Sequence, residues 1–227
     1  MKIIAIIQAR MSSQRYPGKV LKPVTGKCLL QYVLESLDLI DELSQVFVAT
    51  STEKSDNPIQ EFCDNYGVNC FRGDLNNVTD RFVSLLKKNS CDAFVRVNGD
   101  SPLIDHRLIQ KGIHIYSDGD YDFVTNALVR TYPKGQSVEI VKSDTFLKID
   151  FNKLSANELE HITAYLYNNK RQFNIYNLSS EKKFGNIQLS VDTSTDMKIF
   201  ENIIHNLNRP HWQYTWLEIV DIFKTLT

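Results

Sequence analysis

The stretch Ile3-Ile4-Ala5-Ile6-Ile7-Gln8-Ala9-Arg10-Met11-Ser12-Ser13-Gln14-Arg15-Tyr16-Pro17-Gly18-Lys19 joins five apolar residues to a loop of small and basic ones. An apolar run of that length with a turn after it reads as a strand buried on both faces, here Lys2–Ile7. Strands of the same kind are predicted at Gln45–Thr50, Val68–Phe71, Ala93–Val97 and Tyr121–Thr125. Between them lie helical stripes at Cys28–Leu39, Asn57–Tyr66, Val78–Leu86 and Asp105–Tyr116, with Pro58 in a first turn and Gly67 just past an end. This alternation implies an α/β fold: a mostly parallel sheet covered by helices on both faces. Ligands of such sheets sit beyond the carboxyl ends of the strands, where the 8–19 loop and the Gly99-Asp100 turn fall.

The second half is less regular. It has strand candidates at Ser137–Val141, Phe173–Leu178 and Ile187–Val191 and helix candidates at Glu158–Tyr167, Met197–Leu207 and Trp216–Leu226. One domain over residues 1–227 is expected. Its core comprises 1–126 and 187–227, and an aromatic-rich insertion at about 127–186 is suited to an acceptor site or a dimer contact.

Charge places the chemistry. The first 34 residues carry six Lys and Arg and no acid, whereas the other 193 carry 20 basic and 27 acidic side chains. The cationic cluster is thus local, which suits a phosphate group better than a nucleic-acid surface. Arg10 and Arg15 offer forked donors to phosphate oxygens and Lys19 a compact charge. Ser12, Ser13 and backbone N–H groups add donors. A solvated basic loop is the plain alternative. The loop has neither the GxxxxGK[ST] nor the GxGxxG spacing, which disfavours the usual ATPase and dinucleotide folds. No apolar run approaches the ~20 residues of a membrane span, and the N-terminus is not a signal peptide, so the expected location is the cytoplasm. The four cysteines show no CxxC spacing and read as free thiols.

The N-terminal run resembles the signature of the sugar-acid cytidylyltransferases, the CMP-sialic acid and CMP-Kdo synthetases, and most closely their spore-coat polysaccharide biosynthesis relatives. Further matching segments follow in the family's order. They are Asn76-Asn-Val-Thr-Asp80-Arg81-Phe82, Val95-Arg-Val-Asn98-Gly-Asp100-Ser-Pro102, Arg130-Thr-Tyr-Pro-Lys-Gly135 with Val138-Glu139, Glu160-His161-Ile-Thr163 and Val191-Asp192-Thr193.

The resemblance implies a three-layer α/β/α fold of the glycosyltransferase-A-like type, usually a homodimer. It implies an Mg²⁺-dependent transfer of CMP from CTP to a sugar acid or similar small anionic acceptor, with pyrophosphate released. On that pattern Arg10 and Lys19 hold the triphosphate, Arg15 assists, and Asp100 and Asp192 hold Mg²⁺. Arg10, Lys19 and Asp100 are the expected catalytic groups. Ala9, Ser12, Ser13, Arg72, Thr79, Asp80 and Asn98 complete the nucleotide contacts. Arg130, Gln136, Glu139 and His161 face the acceptor, Arg130 being suited to a carboxylate.

Plainer readings stand beside these: Asp100 as a turn residue, Asp192 as a helix N-cap, Asp80-Arg81 as an exposed helix-start pair, His161 as a surface helix residue. A different nucleoside triphosphate, a glycosyltransferase using Asp118-Gly119-Asp120, and a non-enzymatic nucleotide binder are the rival functions.

Overall fold

The computed structural model describes residues 1–226; Thr227, the last residue of the expected domain, lies outside them. In chain order the elements are β1 (Ile3–Gln8), β2 (Pro23–Val24), β3 (Lys27–Cys28), α1 (Leu29–Leu37), β4 (Leu43–Ser51), α2 (Asn57–Tyr66), β5 (Asn69–Gly73), α3 (Val78–Lys88), β6 (Ala93–Asn98) and α4 (His106–Asp118). There follow β7 (Phe123–Thr125), β8 (Glu139–Lys142), α5 (Ser143–Leu147), α6 (Ala156–Glu160), α7 (Ala164–Asn168), β9 (Ile175–Asn177), α8 (Ser194–His205) and α9 (Trp216–Leu226).

Seven strands form one sheet in the order β5-β4-β1-β6-β8-β7-β9. β5, β4, β1 and β6 run parallel, and β8 is antiparallel to both its neighbours. β1 shows why its run is wholly apolar. Ile3, Ala5 and Ile7 pack with α1, α2 and α4 on one face, while Ile4 and Ile6 pack with α3 and α5 on the other. Alternate side chains of one strand thus feed two cores, which makes the three layers. A third cluster joins α8 and α9 to Leu29 and Tyr32 of α1. Gly112 lets α4 approach β8 closely, since a Cβ there would lie 2.6 Å from Ile140 Cδ1 and 2.8 Å from Val138 Cγ1. Among the described residues no helix is long and apolar enough to cross a membrane.

The second half departs from expectation in three places. Residues 127–186 supply β8, which lies inside the sheet between β6 and β7, and β9 at its edge. The helix expected at Glu158–Tyr167 is two short helices. α6 starts at a Ser155/Glu158 capping box and stops at His161, after which Ile162 and Thr163 turn into the core. Ile187–Val191 is no strand; it is an extended segment that makes one isolated bridge, Lys134 to Gln188. Its apolar residues are buried in the third cluster, which explains the strand-like pattern.

Candidate active site

The site grows from the carboxyl ends of β1 and β6, which lie side by side with Gln8 opposite Asn98. The loop after β1 folds back on itself: Gly18, at φ +73, donates its N–H to Met11 O at 2.8 Å. Buried Asp56 fixes the loop from below. It accepts from Met11 N at 2.7 Å with one oxygen and from the Ser51 N–H and hydroxyl with the other. The turn then directs Lys19 inward. Its side chain is only 7% exposed, and Nζ donates to Asp100 Oδ2 at 2.6 Å and Val191 O at 2.7 Å, and reaches Asp192 Oδ1 at 3.4 Å.

Asp100 follows β6. Asp192 is brought beside it because Val191 N–H donates to Asp100 O at 2.8 Å. Arg15 pairs with Asp192 at 2.8 Å, and Arg10 pairs with Glu160, the last residue of α6, at 3.0 Å. Asp192 is neither a strand end nor a cap; Thr193 caps α8 in a capping box with Asp196.

These groups line a cavity of about 490 Å³, within the range of small-molecule sites. Of the expected site residues, Ala9, Arg10, Ser13, Arg15, Lys19, Asn98, Asp100 and Asp192 line it. Ser12 is exposed and lines neither this cavity nor the next. Asp100 and Asp192 aim hard oxygen donors at one point that already accepts a cation, the Lys19 ammonium. Among the described residues no group of three or more His, Cys, Asp or Glu side chains is arranged for a metal. Two carboxylates with room for phosphate oxygens and water fit Mg²⁺, which retains much of its hydration.

The expected base contacts fare differently. The Arg72 guanidinium holds Ser51 O at 2.7 Å and Glu53 O at 2.8 Å. The buried Thr79 hydroxyl donates to Glu158 O. Asp80 points to solvent from the first turn of α3. None of the three lines this cavity or the hollow beside it: backbone carbonyls anchor the first two side chains and the third faces outward. Arg81, paired with Asp80 in the sequence as an exposed residue, is fully buried. Its guanidinium holds the carbonyls of Ala49, Asp74 and Leu75, and burial pushes its pKa down to about 10.

A second hollow of about 320 Å³ adjoins the first, and Arg96, Asn98 and His161 line both. Arg130 and Glu139 face it as well. Gln136 does not: it is wholly buried, its amide donating to Leu103 O and accepting from Asp105 N, so its expected acceptor role gives way to a structural one. Glu139 is buried against Arg96 at 2.6 Å and accepts from the hydroxyls of Thr163 and Tyr167. Burial pushes its carboxyl up, but the Arg96 charge and these donors outweigh that and hold it below the ordinary Glu range. Asp118-Gly119-Asp120 lies at the end of α4, where Asp120 pairs with Lys142, and it lines neither hollow.

Sequence reasoning passed over Asp56, Glu160 and Arg96. Arg96 was marked by its place, a lone charge in the apolar strand Ala93–Val97. Glu160 stood in a matching segment without a role. Asp56 carried no signal, since its partners lie at Ser51 and Met11.

Comparison with known proteins identifies the family. A family model for cytidylyltransferases matches residues 4–207. An uncharacterised protein of Methanocaldococcus jannaschii is 37% identical over 88% of this chain and 82% of its own length. The spore coat polysaccharide biosynthesis protein SpsF of Bacillus subtilis is 32% identical over 86% of this chain and 82% of its own. The solved structure of a cytidylyltransferase from Leptospira borgpetersenii superposes with a TM-score of 0.92 at 29% identity, covering 100% of this chain and 95% of that one. With most of its length matched and the cationic loop facing two aspartates, this chain belongs to the cytidylyltransferase family of nucleotidyltransferases.

Proposed function

We propose that the chain transfers CMP from CTP to a sugar acid or similar small anionic acceptor and releases pyrophosphate. The observation that carries this reading is the convergence of Arg15 and Lys19 on Asp100 and Asp192 at the sheet's carboxyl edge, in a cavity that Arg10 of the same loop also lines. In this reading a hydroxyl of the acceptor attacks the α-phosphorus in line. The O–P bond forms, the bond from the α-phosphorus to the bridging oxygen breaks, and pyrophosphate leaves with that electron pair. Negative charge grows on the phosphate oxygens, where preorganised cations act most strongly.

Lys19 and Arg10 neutralise the triphosphate, Arg15 grips its outer end, and His161, between the two hollows, takes the hydroxyl proton on a ring nitrogen. Asp100 and Asp192 would hold Mg²⁺, which supplies Lewis-acid stabilisation of the phosphate oxygens. The likeness to the spore coat polysaccharide biosynthesis protein of Bacillus subtilis supports a role in surface polysaccharide synthesis. The homodimer that the resemblance implies is part of the same proposal, and light scattering reads it.

The test is pyrophosphate release with Mg²⁺ over a panel of sialic acid, other nonulosonic acids, Kdo, glycerol phosphates and aminoalkyl phosphonates, with UTP, GTP and ATP in place of CTP as controls. Release that needs CTP and one acceptor, and that Asp100→Asn abolishes, is the expected result. Release with UTP, GTP or ATP but not CTP, or release that Asp100→Asn leaves unchanged, would overturn it.

A further inference from the structure

Arg96 is the fourth residue of β6 and the sole charged side chain of that strand, on the wall common to both hollows. Two anchors set its guanidinium: Nη1 donates to Glu139 Oε2 at 2.6 Å and Nη2 to Gln8 Oε1 at 3.2 Å. Nε is buried and has no protein partner. A guanidinium carries five N–H donors, so three remain after these two bonds.

Glu139 has no such reserve. One oxygen is taken by Arg96 and the other by Thr163 at 2.9 Å and Tyr167 at 2.7 Å, and its side chain is 4% exposed. Arg130, in the second hollow only, is held by the Ser137 hydroxyl alone, at 3.2 and 3.3 Å. The second hollow therefore sets two guanidiniums against one carboxylate whose two oxygens are both already engaged.

We propose that Arg96, locked in place by Glu139, takes the acceptor's carboxylate at the junction of the two hollows and thereby aims the neighbouring hydroxyl at the nucleotide. The inference rests on the cytidylyl-transfer reading. Position is the reason for preferring Arg96 to Arg130. An anion on the shared wall lies beside the oxygen that forms the new bond, whereas one held by Arg130 alone lies farther into the second hollow. The planar fork with donors to spare suits a carboxylate. Glu139 then acts as a positioning residue for Arg96, and Arg130 contacts the far end of the acceptor.

Calorimetric titration of Kdo and of N-acetylneuraminate into protein saturated with CTP, without Mg²⁺ so that no transfer occurs, reads this directly. Thermal stabilisation by CTP alone is measured in parallel. Arg96→Lys should weaken binding of whichever acid the wild type takes by about tenfold to a hundredfold while leaving CTP stabilisation intact. Arg96→Gln with Glu139→Gln removes both charges together, so no buried carboxylate is left unpaired, and it should behave alike. With a turned-over acceptor the loss should fall on KM more than on kcat, and free guanidinium should restore part of it in the double variant.

Wild-type affinity in Arg96→Lys, or an equal loss of CTP stabilisation, would overturn the assignment. So would a wild type that binds CTP but neither sugar acid, or one that takes a glycerol phosphate instead. A wild type that fails to bind CTP would overturn the cytidylyl-transfer reading itself.

Discussion

Lys19 sits where opposing needs meet. Its ammonium is buried between two aspartates and a backbone carbonyl, yet it lies at the base of a loop that carries two further cations, Arg10 and Arg15. Lys19→Met should leave Asp100 and Asp192 facing each other without a cation and cost about a hundredfold or more in kcat/KM for CTP, read by initial rates of pyrophosphate release. Asp56 acts one step back. Asp56→Asn keeps its shape but weakens the charge-assisted bonds to Met11 and Ser51, so the loop should loosen at a cost of about 1–3 kcal/mol, read by thermal unfolding and by reduced stabilisation with CTP. The two residues differ in how openly the sequence displays them. Lys19, Arg10 and Arg15 lie in one loop, and their spacing is visible in the chain. Asp56 and Glu160 meet that loop across 45 and 150 residues, and only folding supplies those contacts.

At the scale of elements, the parallel half of the sheet was legible because β1, β6 and the second half of β4 are buried on both faces and write apolar runs. The region after residue 126 was less so. Ile187–Val191 has a strand's composition, but its burial comes from packing against α8 and α9 rather than from sheet pairing. Glu158–Tyr167 has a helix's composition, but Thr163 must reach Glu139, and the chain breaks at His161 to allow it. α6 has only five residues, so its start matters. Ser155→Ala should remove the capping box, cost about 1 kcal/mol and let Glu160 wander, which hydrogen exchange across 155–161 would report.

The whole molecule ties its C-terminal helices to α1 through His211. Its Nε2 lies 2.9 Å from Tyr32 O, and its ring packs edge-on to Tyr32. Burial pushes its pKa from 6.5 down to about 4, although the Tyr32 carbonyl and Glu35 pull the other way. The folded value lies below the unfolded one, so the unfolded chain takes up this proton first. The contribution is complete above about pH 6.5 and is lost as pH falls through about 4, a swing of about 3 kcal/mol. Denaturant unfolding at pH 7 and pH 4.5 should show the loss, and His211→Gln should flatten it.

The ion pair between Arg10 and Glu160 has a consequence of another kind. On the proposed function a triphosphate and a glutamate compete for one guanidinium, so nucleotide entry and release of Glu160 become a single exchange. Affinity for CTP is then set partly by a residue that need never touch it. Glu160→Gln should bind CTP several-fold more tightly than the wild type, since an exposed ion pair contributes about 1 kcal/mol or less. It should also weaken any preference for binding the nucleotide before the acceptor. Equilibrium titration of CTP and order-of-addition kinetics would measure the two effects separately, and equal CTP affinity in the two proteins would show that the exchange carries no weight. On that reading, a surface salt bridge links the nucleotide and acceptor sides of the site.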